Sequence, residues 1–162
     1  MTIKSCAFTG HRDIPESHLA PLTAQLDASL VALYGMGCRA FYAGGARGFD
    51  TLAAERVLAF RATHPGVTLH LILPCRDQMR GWHAADIARA DAVLSAADST
   101  TYLREEYTPT VMAERNRALV AAADACLAYV HHSASGAAQT LRLAEKKGIP
   151  TVNLATRMPQ NP

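Results

Sequence analysis

Ala43-Gly44-Gly45-Ala46-Arg47-Gly48-Phe49-Asp50-Thr51-Leu52-Ala53-Ala54-Glu55 is the stretch on which the reading of the chain turns. It follows an apolar run, Phe41-Tyr42-Ala43, and leads into a helical pattern that begins near Asp50. A parallel strand hands over to a helix in this way. Glycines at such a handover let the backbone come close to a ligand and adopt positive φ. The free amides of the following helical turn face whatever lies in front of them. Arg47 adds a planar fork of donors suited to a phosphate or carboxylate. Asp50 is placed either to cap the helix or to accept hydrogen bonds from a sugar hydroxyl. Glu55 lies a further turn in, where it can pair with a neighbouring cation.

The rest of the chain repeats that handover. Short apolar runs at residues 3–8, 38–43, 67–73, 100–103, 124–130 and 150–154 read as strands. Between them lie helical patterns. The first opens at Pro15 and carries Leu19, Leu22, Leu26, Leu30 and Leu33 at helical spacing; the others cover 51–63, 84–97, 108–122 and 137–147. Strands alternating with helices predict one α/β domain over residues 1–155, with a mostly parallel sheet and helices on both faces. Residues 156–162, ending Met-Pro-Gln-Asn-Pro, read as a flexible C-terminal tail. In such sheets ligands bind beyond the carboxyl ends of the strands. Here those ends carry Thr9-Gly10-His11-Arg12, Gly44-Gly45-Ala46-Arg47, Pro74-Cys75-Arg76 and His131-His132-Ser133.

Bulk properties narrow the function classes. With 162 residues, 49% hydrophobic and 19% charged, the chain suits one globular domain with a full core. A net charge of +2 without a Lys/Arg run argues against nucleic acid as a partner. No signal peptide or membrane-spanning run is evident, and Cys6, Cys38, Cys75 and Cys126 are widely spaced, so buried thiols in the cytoplasm are expected.

Several motifs could line a site. Thr9-Gly10-His11-Arg12 offers a hydroxyl, an imidazole and a guanidinium, but it is not a G-x-G-x-x-G dinucleotide fingerprint. Ser135-Gly136-Ala137-Ala138 supplies a second helix N-terminus, with Ser135 as a cap and small residues that leave the amides open to an anion. On the helix from residue 108, Met112, Asn116 and Leu119 share a face, with Arg115 beside them. Gln78 and Trp82 can hydrogen-bond and stack on a base, or Trp82 can serve the core. His11, His83, His131, His132 and Cys75 lack metal-ligand spacing, so no metal is expected, and Cys75 has no assignable base that would make it a nucleophile.

Thr9-Gly10-His11-Arg12, the Gly44 to Glu55 stretch, Pro74 with Gln78 and Trp82, and Met112 to Asn116 together resemble the YpsA-like branch of the SLOG superfamily, over nearly the whole chain. The resemblance implies a Rossmann-like three-layer α/β/α fold and a nucleotide or nucleotide-derived ligand, with no cofactor and with self-association to a homodimer possible. Two relatives supply alternatives. The LOG phosphoribohydrolases cleave the N-glycosidic bond of a nucleoside monophosphate. Met112, Glu114 and Arg115 match the first part of their pattern, but Gln139 and Thr140 fall where their carboxylates belong. Catalysis of that kind would then rest on Asp50 or Glu55, with Arg115. The DNA-processing protein DprA, which binds single-stranded DNA, resembles the chain at Ala46-Arg47-Gly48-Phe49-Asp50. The leading expectation is nucleotide binding by Thr9, Gly10, His11, Arg12, Gly44, Gly45, Arg47, Asp50, Gln78, Trp82, Arg115, Asn116, Ser135 and Gly136.

Overall fold

The computed structural model describes residues 2–160. Its elements run β1 (Ser5–Gly10), α1 (Glu16–Gly35), β2 (Ala40–Ala43), α2 (Phe49–Arg61), β3 (Thr68–Cys75), α3 (Ala84–Ala96), β4 (Ser99–Arg104), α4 (Val111–Ala122), β5 (Ala125–Tyr129), α5 (Gly136–Lys147) and β6 (Thr151–Asn153). The six strands form one sheet in the order β4-β3-β2-β1-β5-β6, and every pairing is parallel. This is the three-layer Rossmann-like architecture that the alternation of patterns predicts.

The sheet grows in one direction from β1 to β4, then restarts on the far side of β1 with β5. Helices follow that reversal. α1 packs on α2 and α2 on α3, whereas α4 packs on α5 across the sheet. The first layer holds the larger core: Leu22, Leu26 and Leu30 of α1 meet Phe8, Phe41, Phe49, Leu69 and Leu71, all essentially without solvent exposure. Alternation along β1 divides its residues between the layers, with Cys6 and Phe8 in that core and Ala7 against Leu119 of α4 and Ala123 just after it. Phe8 stacks on Phe41, and Phe49 on Tyr129, so rings tie β1, β2, α2 and β5 together just below the strand ends.

Several boundaries differ from the sequence pattern for local reasons. β1 extends through Thr9 and Gly10 because both pair with β5, opposite Ala128 and Tyr129. β3 continues through Pro74, which lacks an amide hydrogen, because Leu73 and Cys75 on either side pair with Tyr102 and Arg104. After β6, Leu154–Arg157 form a 3-10 turn and Met158 is buried, so the segment from Thr156 begins packed. Asn161 and Pro162, the end of the expected tail, lie outside the described residues. The four cysteines are buried and free. Among the described residues no helix is long and apolar enough to cross a membrane.

Two glycines test this packing. A Cβ on Gly10 would lie 2.4 Å from ring carbons of Phe49, whereas one on Gly35 meets nothing within 4 Å. Gly10→Ala should therefore destabilise the protein by about 1–3 kcal/mol through overpacking. Gly35→Ala, at the end of α1, should be neutral or gain up to about 1 kcal/mol. Urea denaturation of both variants checks the contrast.

Candidate functional site

At the switch point the connections leaving β1 and β5 diverge to opposite faces, and a crevice opens above the strand ends. One part of it is a cavity of about 500 Å³ lined by Thr9 to Asp13, Ala46, Asp50, Arg115, Asn116, His131, His132 and the Ser135 to Ala137 turn. A second cavity of about 680 Å³ adjoins it and carries Arg47, Gln78, Arg80, Trp82 and Tyr107. Arg12, Ala46 and Met112 border both.

The loop from Gly44 to Gly48 is shaped by what packs against it. A Cβ on Gly44 would sit 2.6 Å from Nη1 of Arg115 and 3.0 Å from Oδ2 of Asp50, so the missing side chain makes room for both buried side chains. Arg115, only 6% exposed, donates through Nη1 to the carbonyl of Gly44 and through Nε to Oδ1 of Asn116. On Gly45 a Cβ would strike Leu73, and Gln78 donates to the Gly45 carbonyl at 2.9 Å. Gly48 has φ of 80° and passes over the backbone of Arg12, where a Cβ would meet the Arg12 carbonyl at 2.1 Å. Gly44 and Gly45 thus serve close packing, and neither lines the two cavities.

Asp50 is not the helix cap. Gly48 occupies that position, with no side-chain capping bond, and Asp50 lies in the first turn of α2. Its Oδ2 accepts from the amide of Ala46 at 3.2 Å, while its Oδ1 is buried without a protein partner. Burial raises the carboxyl pKa from 3.8 to about 6, against the opposing pull of Arg115, the Ala46 amide and Arg12. Burial likewise lowers the pKa of Arg115. The floor of the crevice is thus a guanidinium beside a half-ionisable carboxyl, with the cation Arg12 above. Such a floor favours an anion, and the free Oδ1 favours a hydroxyl or amine donor.

The opposite wall comes from β5 and α5. Ser135 caps α5 by accepting from the amide of Ala138 at 3.0 Å, and Asn116 donates to the carbonyl of Gly136. The N-terminus of α5, at Gly136 and Ala137, therefore borders the cavity. Parallel pairing of Gly10 with Tyr129 brings His11 to His131 and His132, a contact between residues 120 positions apart that spacing alone could not show. Nε2 of His11 accepts from the amide of His131 at 2.9 Å, which leaves Nδ1 to carry the proton. Burial, with His132 and His131 adding to it, lowers the His11 pKa to about 4. The ring of His132 lies flat on that of His11, with centroids 4.0 Å apart and planes at 4°.

Of the residues expected in the site, Thr9, Gly10, His11, Arg12, Asp50, Arg115, Asn116, Ser135 and Gly136 line the first cavity; Arg47, Gln78 and Trp82 line the second. Arg47 also pairs with Asp13 at the surface, at 3.1 Å. Glu55 lies outside both cavities and is tied to Arg89 through both carboxylate oxygens. His83 and Cys75 belong to the second cavity, apart from the three clustered histidines.

The sequence profile of the YspA SLOG family matches residues 10–150. No curated protein matches the chain significantly. Among solved structures, DNA processing protein A from Helicobacter pylori, described for its single-stranded DNA binding mode, superposes with a TM-score of 0.64 at 20% identity, over 93% of this chain and 64% of that one. DprA from Streptococcus pneumoniae gives 0.65 at 15% identity, over 91% and 49%. The structural-genomics target TM1055 gives 0.59 at 18% identity, over 91% and 72%. At these identities the likeness is one of fold, and the chain spans about two-thirds and one-half of the two DprA chains.

Removing the buried guanidinium tests the floor. Arg115→Ala should cost about 3–5 kcal/mol by stranding Asp50 and the Gly44 carbonyl. Because Asp50 ionises around pH 6, the loss should be larger at pH 7.5 than at pH 5. Urea denaturation at the two pH values measures the difference.

Proposed function

This chain belongs to the YspA SLOG family, and from that premise we propose that it binds a nucleotide or nucleotide-derived small molecule in the crevice above β1 and β5. The observation that carries the reading is Asp50, which lines a cavity that also holds Arg12 and the start of α5, and whose Oδ1 is buried without a protein partner. A carboxylate cannot receive phosphate, but it accepts from ribose hydroxyls, while the amides near Gly136 and the guanidinium of Arg12 donate to the anion. Trp82 and Gln78 offer a stacking face and an amide for a base. The requirement for an anion beside a hydroxyl donor describes a sugar phosphate better than a simple carboxylic acid.

Thermal shift with AMP, GMP and ADP-ribose is the direct test. Ligand at a hundredfold its Kd should add about 2.7 kcal/mol to the stability. For a chain of this size that raises Tm by roughly 5–10 °C. No shift with any of the three at millimolar concentration would refute the reading.

The pH dependence carries a sign. A ribose hydroxyl donating to Asp50 favours the ionised carboxylate, so affinity for ADP-ribose should rise as pH increases through about 6. Asp50→Asn should weaken binding at least fivefold at pH 7.5 and flatten that profile. Titration calorimetry between pH 5 and 8 checks both.

Hydrolysis of a nucleoside-monophosphate N-glycosidic bond is favoured by one feature only. Asp50 is a cavity carboxyl with a pKa raised to about 6, the range a general acid or base needs. On that reading free adenine should accumulate from AMP, and Asp50→Asn should abolish it. Chromatography of an overnight incubation decides.

A further inference from the structure

We infer that the crevice takes a two-part ligand, in which two nucleoside-like halves are joined through phosphate, rather than a mononucleotide. The inference rests on the nucleotide reading and names its ligand class more closely. Four features support it.

Each cavity alone has the size of a complete ligand site, about 500 and 680 Å³, where drug-sized molecules are held in about 300–1,000 Å³. A base reaching out from the first cavity would leave much of the second unfilled.

Each cavity also has its own planar ring surface. In the first, the exposed ring of His132 rests on His11. In the second, Trp82 is half-buried and Tyr107 is exposed. Stacking platforms of this kind hold one base each.

Polar groups that discriminate a nucleoside are likewise duplicated. Asp50 serves the first cavity, with its unpartnered Oδ1, and Gln78 and Asp77 serve the second.

The cations fall at the junction. Arg12 borders both cavities, with Arg47 and Arg80 on the second side and the α5 amides on the first. A phosphate bridge between two halves would lie at Arg12. A terminal phosphate of a mononucleotide would use only one side of that charge.

The experiment compares ligands that share one base. P1,P2-diadenosine diphosphate carries a pyrophosphate bridge, adenylyl-3′,5′-adenosine carries a phosphodiester, and AMP and ADP carry none; guanine counterparts repeat the set. Titration calorimetry should show one bridged compound binding one to one, at least tenfold tighter than either mononucleotide of the same base. His132→Ala and Trp82→Ala, one surface residue from each cavity, should each weaken the bridged compound at least fivefold. A preference for the pyrophosphate bridge assigns a free dinucleotide, and a preference for the phosphodiester, with an oligonucleotide of the same base binding tighter still, assigns a strand of nucleic acid. Mononucleotides that bind as tightly as both bridged compounds, or a bridged compound sensitive to only one of the two substitutions, would overturn the inference and leave nucleotide binding intact. Failure of every compound would overturn both.

Discussion

A guanidinium buried in the middle of the crevice floor is the constraint that most of this site answers to. Arg115 reaches from α4 beneath the loop after β2, binds the Gly44 carbonyl and leans on Asn116. A buried cation is tolerated only with compensation nearby. Asp50 supplies part of it from α2, but the same burial resists ionisation of its carboxyl. Above about pH 6 the two charges nearly balance, and Arg12 supplies the excess positive charge. Gly44 must lack a side chain because both groups crowd the space a Cβ would fill. Loop conformation, the orientation of Asp50 and the crevice's preference for anions thus follow from one arginine and the space it needs.

Sheet topology determines where that floor is exposed. Because the strand order reverses between β1 and β5, their connections leave on opposite faces and do not cover the strand ends. The walls then come from two kinds of structure. One is a packed loop with glycines at 44, 45, 48 and the strand-terminal Gly10, each pressed against a named neighbour. The other is a helix start, α5, whose cap is satisfied by its own serine and whose remaining amides are free to face outward.

Much of this was legible in the sequence because the signals are local. Apolar runs alternating with helical patterns predict the α/β order, and small polar residues at each strand end predict the location of the crevice. What was not legible depends on contacts between distant residues. Asp50 follows a glycine-rich turn as a cap would, yet its carboxylate turns back to Ala46, because Gly48 already begins the helix. Gly44 and Gly45 look like a phosphate cradle, but their bare backbones are filled by Arg115, Leu73 and Gln78. Glu55 has the right chemistry for catalysis and the wrong side of α2, where Arg89 holds it. The histidine cluster has no sequence spacing because β1 and β5 create it by pairing.

That pairing has a consequence for biosynthesis. His11 emerges from the ribosome early, while the amide its imidazole accepts from lies 120 residues later. Until β5 slots in beside β1, the nascent polypeptide carries a cleft with one wall, and Tyr129 is missing from the ring stack beneath it. The first cavity is therefore complete only once the chain from Ala125 onward has been made, whereas every residue lining the second precedes β5.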